Sequence, residues 1–252
     1  MTADLYLDLL KRTLSGAVYE DPHILTDWDQ DPAYDLNKRV NGLDWPQHAP
    51  TMIGLSRLDH LQQCAETVLA DHVPGDFIET GVWRGGACIL MRAVLKACGV
   101  TDRAVWVADS FQGFPEHAFT VEGYSHDQDH LAVTLEQVRR NFDLYGLLDD
   151  QVKFLPGWFA DTLPEAPIGQ LAILRLDGDL YPSTMDALNH LYPKLAPGGF
   201  VIIDDWILPY CRTAVGDYRA SHGITEPIAP IPGSKRAGVD DISVFWRKRK
   251  AL

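Results

Sequence analysis

Short apolar runs at 76–80, 104–108, 171–176 and 200–203 each stop at polar residues, and stretches of helical periodicity separate them. Runs too short for helices, interleaved with helices, read as parallel strands buried on both faces, because crossover helices must cover the sheet. A weaker run at 152–155 lies between the second and third, and the intervening helices are expected over 87–98, 134–144, 183–195 and 211–222. This alternation predicts an α/β fold with a doubly wound sheet and places any ligand outside the carboxyl ends of the strands. The late segments 226–231 and 241–246 are expected to pair as an antiparallel hairpin at the sheet edge.

Ahead of this core, Leu5, Leu9, Leu10 and Val18 predict a helix over 4–19, and an Asp-, Trp- and Pro-rich stretch to about residue 50 predicts an irregular cap. Ile53, Leu55, Leu58, Leu61, Cys64, Val68 and Leu69 then predict a helix from Thr51 that Pro74 and Gly75 terminate. The expected organisation is one domain over 1–252, with a helical cap and donor lid at 1–74 and a Rossmann-like core at 75–252. Within the core, 114–131 carries His117, His126 and His130 without periodicity and reads as an acceptor-side loop. His126 and His130 have helical metal-ligand spacing, but a polar lid is the stronger reading.

Composition narrows the partners. With 22 Lys plus Arg against 35 Asp plus Glu, the formal charge of −13 argues against nucleic acid and against an anionic membrane surface. No run approaches the ~20 apolar residues a bilayer span needs. The first residues hold Asp4 and Asp8 without a basic leader region, so a cytoplasmic protein is expected. Cys64, Cys88, Cys98 and Cys211 lack CxxC spacing and are expected to be buried reduced thiols.

At the end of the first strand, Glu79-Thr80-Gly81-Val82-Trp83-Arg84-Gly85-Gly86 forms an acid, a glycine turn and a helix start. A dinucleotide fingerprint would place glycine where Trp83 stands. An acid beside such a turn suits instead a ligand with positive charge and hydroxyls, and S-adenosylmethionine is such a ligand. Asp109, followed by Ser110, ends the second strand and is placed to accept ribose hydroxyls, while Trp158 and Phe159 after Gly157 are an aromatic pair suited to adenine.

Asp177-Gly178-Asp179 ends one strand and Asp204-Asp205 ends another, so four carboxylates meet on one rim. Crowded acids require a compensating charge, and hard oxygen ligands suit Mg²⁺ or Ca²⁺. The plainer alternative is that Asp204 and Asp205 cap the next helix while Asp177 and Asp179 shape a turn.

These motifs, together with Tyr6-Leu7-Asp8-Leu9-Leu10-Lys11, Thr51-Met52-Ile53-Gly54, Trp106-Val107-Ala108-Asp109-Ser110-Phe111-Gln112-Gly113-Phe114-Pro115, Tyr145-Gly146-Leu147-Leu148-Asp149-Asp150 and Phe154-Leu155-Pro156-Gly157-Trp158-Phe159, resemble the macrocin O-methyltransferase (TylF-like) family over nearly the whole chain. The resemblance implies a seven-stranded, mostly parallel class I methyltransferase fold and S-adenosylmethionine as donor. It further implies Mg²⁺-dependent methylation of a sugar hydroxyl on a glycosylated natural product, as in antibiotic biosynthesis, by a homo-oligomer. By the same resemblance Asp177, Asp204 and Asp205 are metal ligands and Asp179 is the general base. Met52, Glu79, Thr80, Gly81, Arg84, Asp109, Ser110, Gly157 and Trp158 fall where the family holds the donor. Two departures, at 123–131 and at 232–241, bear on the acceptor side. The rival readings are an NAD(P)-dependent oxidoreductase, disfavoured by Trp83 and the acid rim, and a non-catalytic binding protein on the same fold.

Overall fold

The computed structural model describes residues 2–26, 29–31, 33–115, 130–234 and 241–249. His117, His126 and most of the 114–131 and 232–241 segments therefore lie outside the described residues.

Seven strands form one sheet in the order β3-β2-β1-β4-β5-β7-β6. They are β1 (Asp76–Thr80), β2 (Val105–Asp109), β3 (Val152–Pro156), β4 (Leu171–Leu176), β5 (Leu195–Ile203), β6 (Ala229–Pro230) and β7 (Val244–Arg247). The first five are parallel, and β7 runs antiparallel between β5 and β6, so the late segments do pair at the edge. Because the order reverses direction at β1 and β4, a crevice opens at their carboxyl ends, where helices leave on opposite sides.

Alternating strand residues build two cores. Phe77, Val105, Val107, Ile173 and Ile202 face α1 (Thr2–Leu14), α3 (Gly54–Ala70), α4 (Gly86–Ala97) and α5 (Leu135–Leu144). Ile78, Trp106, Leu174, Val201 and Ile203 face α7 (Tyr181–Leu191) and α8 (Pro209–Ser221). The described residues also form two short α-helices, α2 (Leu36–Asn41) in the cap and α6 (Phe159–Thr162) after β3, and a 3-10 turn at Tyr192–Lys194. Burial on both faces explains why the strands read as continuous apolar runs rather than alternating ones.

Some boundaries differ from the periodicity. The first helix stops at Leu14, and the chain turns through Gly16 at φ 75°. Strand β5 begins at Leu195, not at Phe200, although Pro197, Gly198 and Gly199 resemble a turn. Gly199 allows the close passage: a Cβ there would lie 2.8 Å from the Ala172 carbonyl oxygen. Cys64, Cys88 and Cys211 are buried free thiols, whereas Cys98 is exposed. No described helix is long and apolar enough to cross a membrane.

His60, buried on α3, lies against the Phe245 ring with centroids 4.2 Å apart. Burial, assisted by the Arg175 charge, pushes its imidazole down from 6.5 to about 4. A histidine kept neutral in the fold but free to protonate when unfolded stabilises above pH 6.5, and that contribution is lost as pH falls towards 4. Urea unfolding should show wild type losing about 2 kcal/mol more than His60→Phe between pH 7 and pH 5. Equal losses in the two proteins would remove His60 as the acid-sensitive group.

Candidate active site

A cavity of about 580 Å³ opens at the carboxyl ends of β1, β2, β4 and β5. The turn Gly81-Val82-Trp83, Asp109 and Ser110, the Asp177–Asp179 segment, and Asp204 with Asp205 form its floor; Trp158 and Phe159 form one wall, and Trp45, Thr51, Met52 and Ile53 of the cap form another. Phe114, Pro115 and Leu131, which flank the undescribed part of the acceptor-side loop, also line it.

Glycine is required where β1 ends. Gly81 has φ 82°, and a Cβ there would sit 1.8 Å from the Asp177 carbonyl oxygen, so the ends of β1 and β4 converge only because that side chain is missing. Trp83, Phe111 and Asp179 adopt left-handed backbone at φ 47°, 57° and 56°. Trp83 and Asp179 line the cavity and Phe111 packs in the core next to Ser110, and the surrounding structure must hold conformations that side chains disfavour. Asp109 holds the turn: Val82 N donates to its Oδ2 at 2.8 Å, and Phe111 N donates to its Oδ1 at 2.7 Å. Burial raises the Asp109 pKa against the lowering effect of these amides. The Trp83 amide and the Ser110 side chain also bond to this carboxylate, which lines the cavity.

The remaining acids are arranged around two guanidiniums. Arg175, inside β4, donates to Glu79 and Asp204, and to Asp177 Oδ2 at 2.7 Å. Arg57, on α3, donates to Asp204, to the Ile53 carbonyl at 2.6 Å and to the Gly42 carbonyl at 3.2 Å, tying the cap to the end of β5. Glu79 is buried, and the Cys88 thiol donates to its Oε2 at 2.9 Å. Burial pushes Glu79 up to about 7 against the pull of Arg175. Asp177 is pushed up to about 6 by burial and by the charge of Asp204. Asp205 accepts from the Asp179 backbone N–H at 3.0 Å and makes no ion pair with a described residue. Burial, then the charges of Asp179, Asp177 and Asp204, raise its pKa well above the carboxylate range.

Ligand atoms of Asp177, Asp204 and Asp205 all lie within 4.8 Å of one another. Glu79 with these three supplies four carboxylates against the two guanidiniums of Arg57 and Arg175, a formal excess of two negative charges when all four are ionised. That excess and the all-oxygen donor set fit one hard divalent cation.

Several anticipated residues lie elsewhere. Thr80 is buried within β1. Arg84 points away from the cavity, donating to the Pro46 and Ala49 carbonyls at 3.0 and 3.1 Å and stacking on the Trp83 ring at 4.0 Å. Gly157 supports Asp109 through its N–H, which donates to the Asp109 carbonyl at 2.9 Å. Sequence reasoning passed over Arg175, although a lone arginine in the apolar run Leu171–Leu176 signals a buried charge partner. It also passed over Arg57, whose place on the buried side of α3 carries the same signal.

A doubly wound sheet with antiparallel β7, a glycine turn after β1 and an acid ending β2 define the class I methyltransferases. The chain belongs to the macrocin-O-methyltransferase (TylF) family, whose model matches residues 3–248, and it is an S-adenosylmethionine-dependent O-methyltransferase. It is 58% identical, over 98% of this chain and 94% of the relative, to 8-demethyl-8-(2,3-dimethoxy-alpha-L-rhamnosyl)-tetracenomycin-C 4'-O-methyltransferase of Streptomyces olivaceus. It is 52% identical, over 97% of this chain and 96% of the relative, to mycinamicin III 3''-O-methyltransferase of Micromonospora griseorubida. The solved structure of the O-methyltransferase NovP superposes with a TM-score of 0.88 at 49% identity, covering 98% of this chain and 100% of that one.

Proposed function

We propose that this enzyme methylates a sugar hydroxyl of a glycosylated natural product, with Mg²⁺ held by Asp177, Asp204 and Asp205 and with Asp179 as general base. The observation that carries the reading is the three-carboxylate cluster beside Asp179 on the floor of the donor cavity. The names of two relatives described above specify O-methylation of a rhamnosyl tetracenomycin and of mycinamicin III.

The residues divide the work as follows. Asp109 would accept the ribose hydroxyls, Trp158 would stack on the adenine, and Gly81, Met52 and Glu79 would line the methionine portion of the donor. A divalent cation at the acid cluster would polarise a hydroxyl and lower its pKa. Asp179, three residues beyond the end of β4, takes the hydroxyl proton as the oxygen accepts the methyl group. The cap and Phe114 side exclude water and hold the acceptor in line.

Electrostatics limits the acceptor. Asp161 and Asp186 add further negative charge to the wall, and among the described lining residues the basic one is Arg57, already committed to Asp204. A diphosphate would enter with like charge, so a neutral or cationic glycoside is favoured over a nucleotide sugar. Mass spectrometry after incubation with S-adenosylmethionine, Mg²⁺ and both acceptor types should show a gain of one methyl on the glycoside, with a preference of roughly 100-fold or more. Preferential methylation of the nucleotide sugar would refute this acceptor reading.

Asp109→Asn should weaken S-adenosylhomocysteine binding by about 10- to 100-fold in calorimetric titration, since an amide cannot accept on both sides as the carboxylate does. An unchanged dissociation constant would move the ribose contact to another acid.

The outer face of α1, with Leu5, Tyr6 and Leu9 exposed, supports the reading as a homo-oligomer, which light scattering tests. We assign the enzyme to the cytoplasm, a compartment that keeps exposed thiols such as Cys98 reduced.

A further inference from the structure

Arg175 lies in β4 directly opposite Glu79 of β1 on one side and Ile202 of β5 on the other. Its guanidinium is buried, and its described hydrogen bonds all go to carboxylates. Nη1 donates to Glu79 Oε1 and to Asp177 Oδ2, and Nη2 donates to Asp204 Oδ1. Glu79 stands on the donor side of the cavity, whereas Asp177 and Asp204 belong to the acid cluster. One rigid planar fork therefore joins both halves of the site.

We propose that Arg175 is a positioning residue that couples the donor subsite to the acid cluster, so that filling either one tightens the other. The proposal rests on the reading of this cavity as a donor and cation site. Three carboxylates share the Arg175 guanidinium, whose side chain is 1% exposed. Positive charge gathered by Asp177 and Asp204 competes with Arg175 for their oxygens and leaves Glu79 as its principal partner. Glu79 is thereby fixed on the donor wall, where Cys88 already holds its second oxygen. Linkage makes the effect reciprocal: the factor by which the cation alters donor affinity equals the factor by which the donor alters cation affinity.

Calorimetric titration of the full chain with S-adenosylhomocysteine, in chelator and in saturating MgCl₂, measures that factor. The product is the suitable probe because it lacks the sulfonium charge that a cation would repel. Wild type should bind it more tightly with Mg²⁺, by about fivefold or more, within the range common for linked sites. Titration of Mg²⁺ with and without the product should return the same factor. In Arg175→Met the factor should fall to about one, and Arg175→Lys, which keeps the charge but loses the fork, should lie between. Glu79→Gln is the second variant should Arg175→Met fail to fold. It keeps the shape of the side chain, removes the charge that Arg175 grips, and should also bring the factor to about one. A wild-type protein that binds both ligands with a factor of one or below overturns the coupling alone. A factor that survives Arg175→Met, or Glu79→Gln where Arg175→Met does not fold, overturns it as well. A protein that binds the product but no Mg²⁺ refutes the cation reading itself, and the coupling with it.

Discussion

Asp179→Asn is expected to lower the turnover number by about 10²- to 10⁴-fold, the range general-base catalysis supplies, while donor and Mg²⁺ affinity stay unchanged. Asparagine is the informative replacement because Asp179 has φ 56°, a conformation that Asn tolerates and Ala resists. The Asp179 backbone N–H donates to Asp205 Oδ2, a bond the substitution leaves in place, so the loss reports on the missing carboxylate and not on a displaced loop. Single-turnover rates in rapid quench, beside calorimetric affinities, make the measurement. A variant that turns over normally would transfer the proton-accepting role elsewhere, and weakened Mg²⁺ binding with intact chemistry would make Asp179 a ligand.

Neighbouring aspartates should give opposite stabilities. Asp204 is buried and receives both Arg57 and Arg175, so Asp204→Ala leaves two buried guanidiniums short of a partner and should cost about 3–5 kcal/mol of unfolding free energy. Asp205 makes no ion pair with a described residue and lies among three like charges, so Asp205→Asn should hold or raise the stability of the metal-free protein. The raised pKa of Asp205 means that its ionised form penalises the fold increasingly as pH rises above the ordinary value of 3.8, so the gain should be larger at pH 8 than at pH 5. Both variants should lose the chelator-reversible activation by Mg²⁺ that we propose for the wild type. Chemical unfolding with chelator present separates the structural effect from the ligand effect. Equal destabilisation by the two substitutions would contradict the division of roles drawn here.

Local chemistry in the sequence determined the strand runs, the glycine turn after Glu79 and the strand-end acids Asp109, Asp177, Asp204 and Asp205. Apolar continuity reports burial on both faces, and a parallel sheet brings strand ends together whatever the exact register, so the site's location was legible. Helix and strand limits were less so, because Pro197-Gly198-Gly199 has the composition of a turn yet joins β5 when packing demands close passage at Ala172. Which acids pair with which cations was decided by tertiary structure alone. Arg57 is 147 residues from Asp204 in sequence and Arg175 is 96 from Glu79, and only the β1-β4-β5 register and the packing of α3 bring them within hydrogen-bonding distance. The same long-range packing turned Arg84 towards the cap carbonyls and left Asp205 without a guanidinium among the described residues, because a charge's partner is set by three-dimensional proximity in a dry interior, for which spacing along the chain carries no signal.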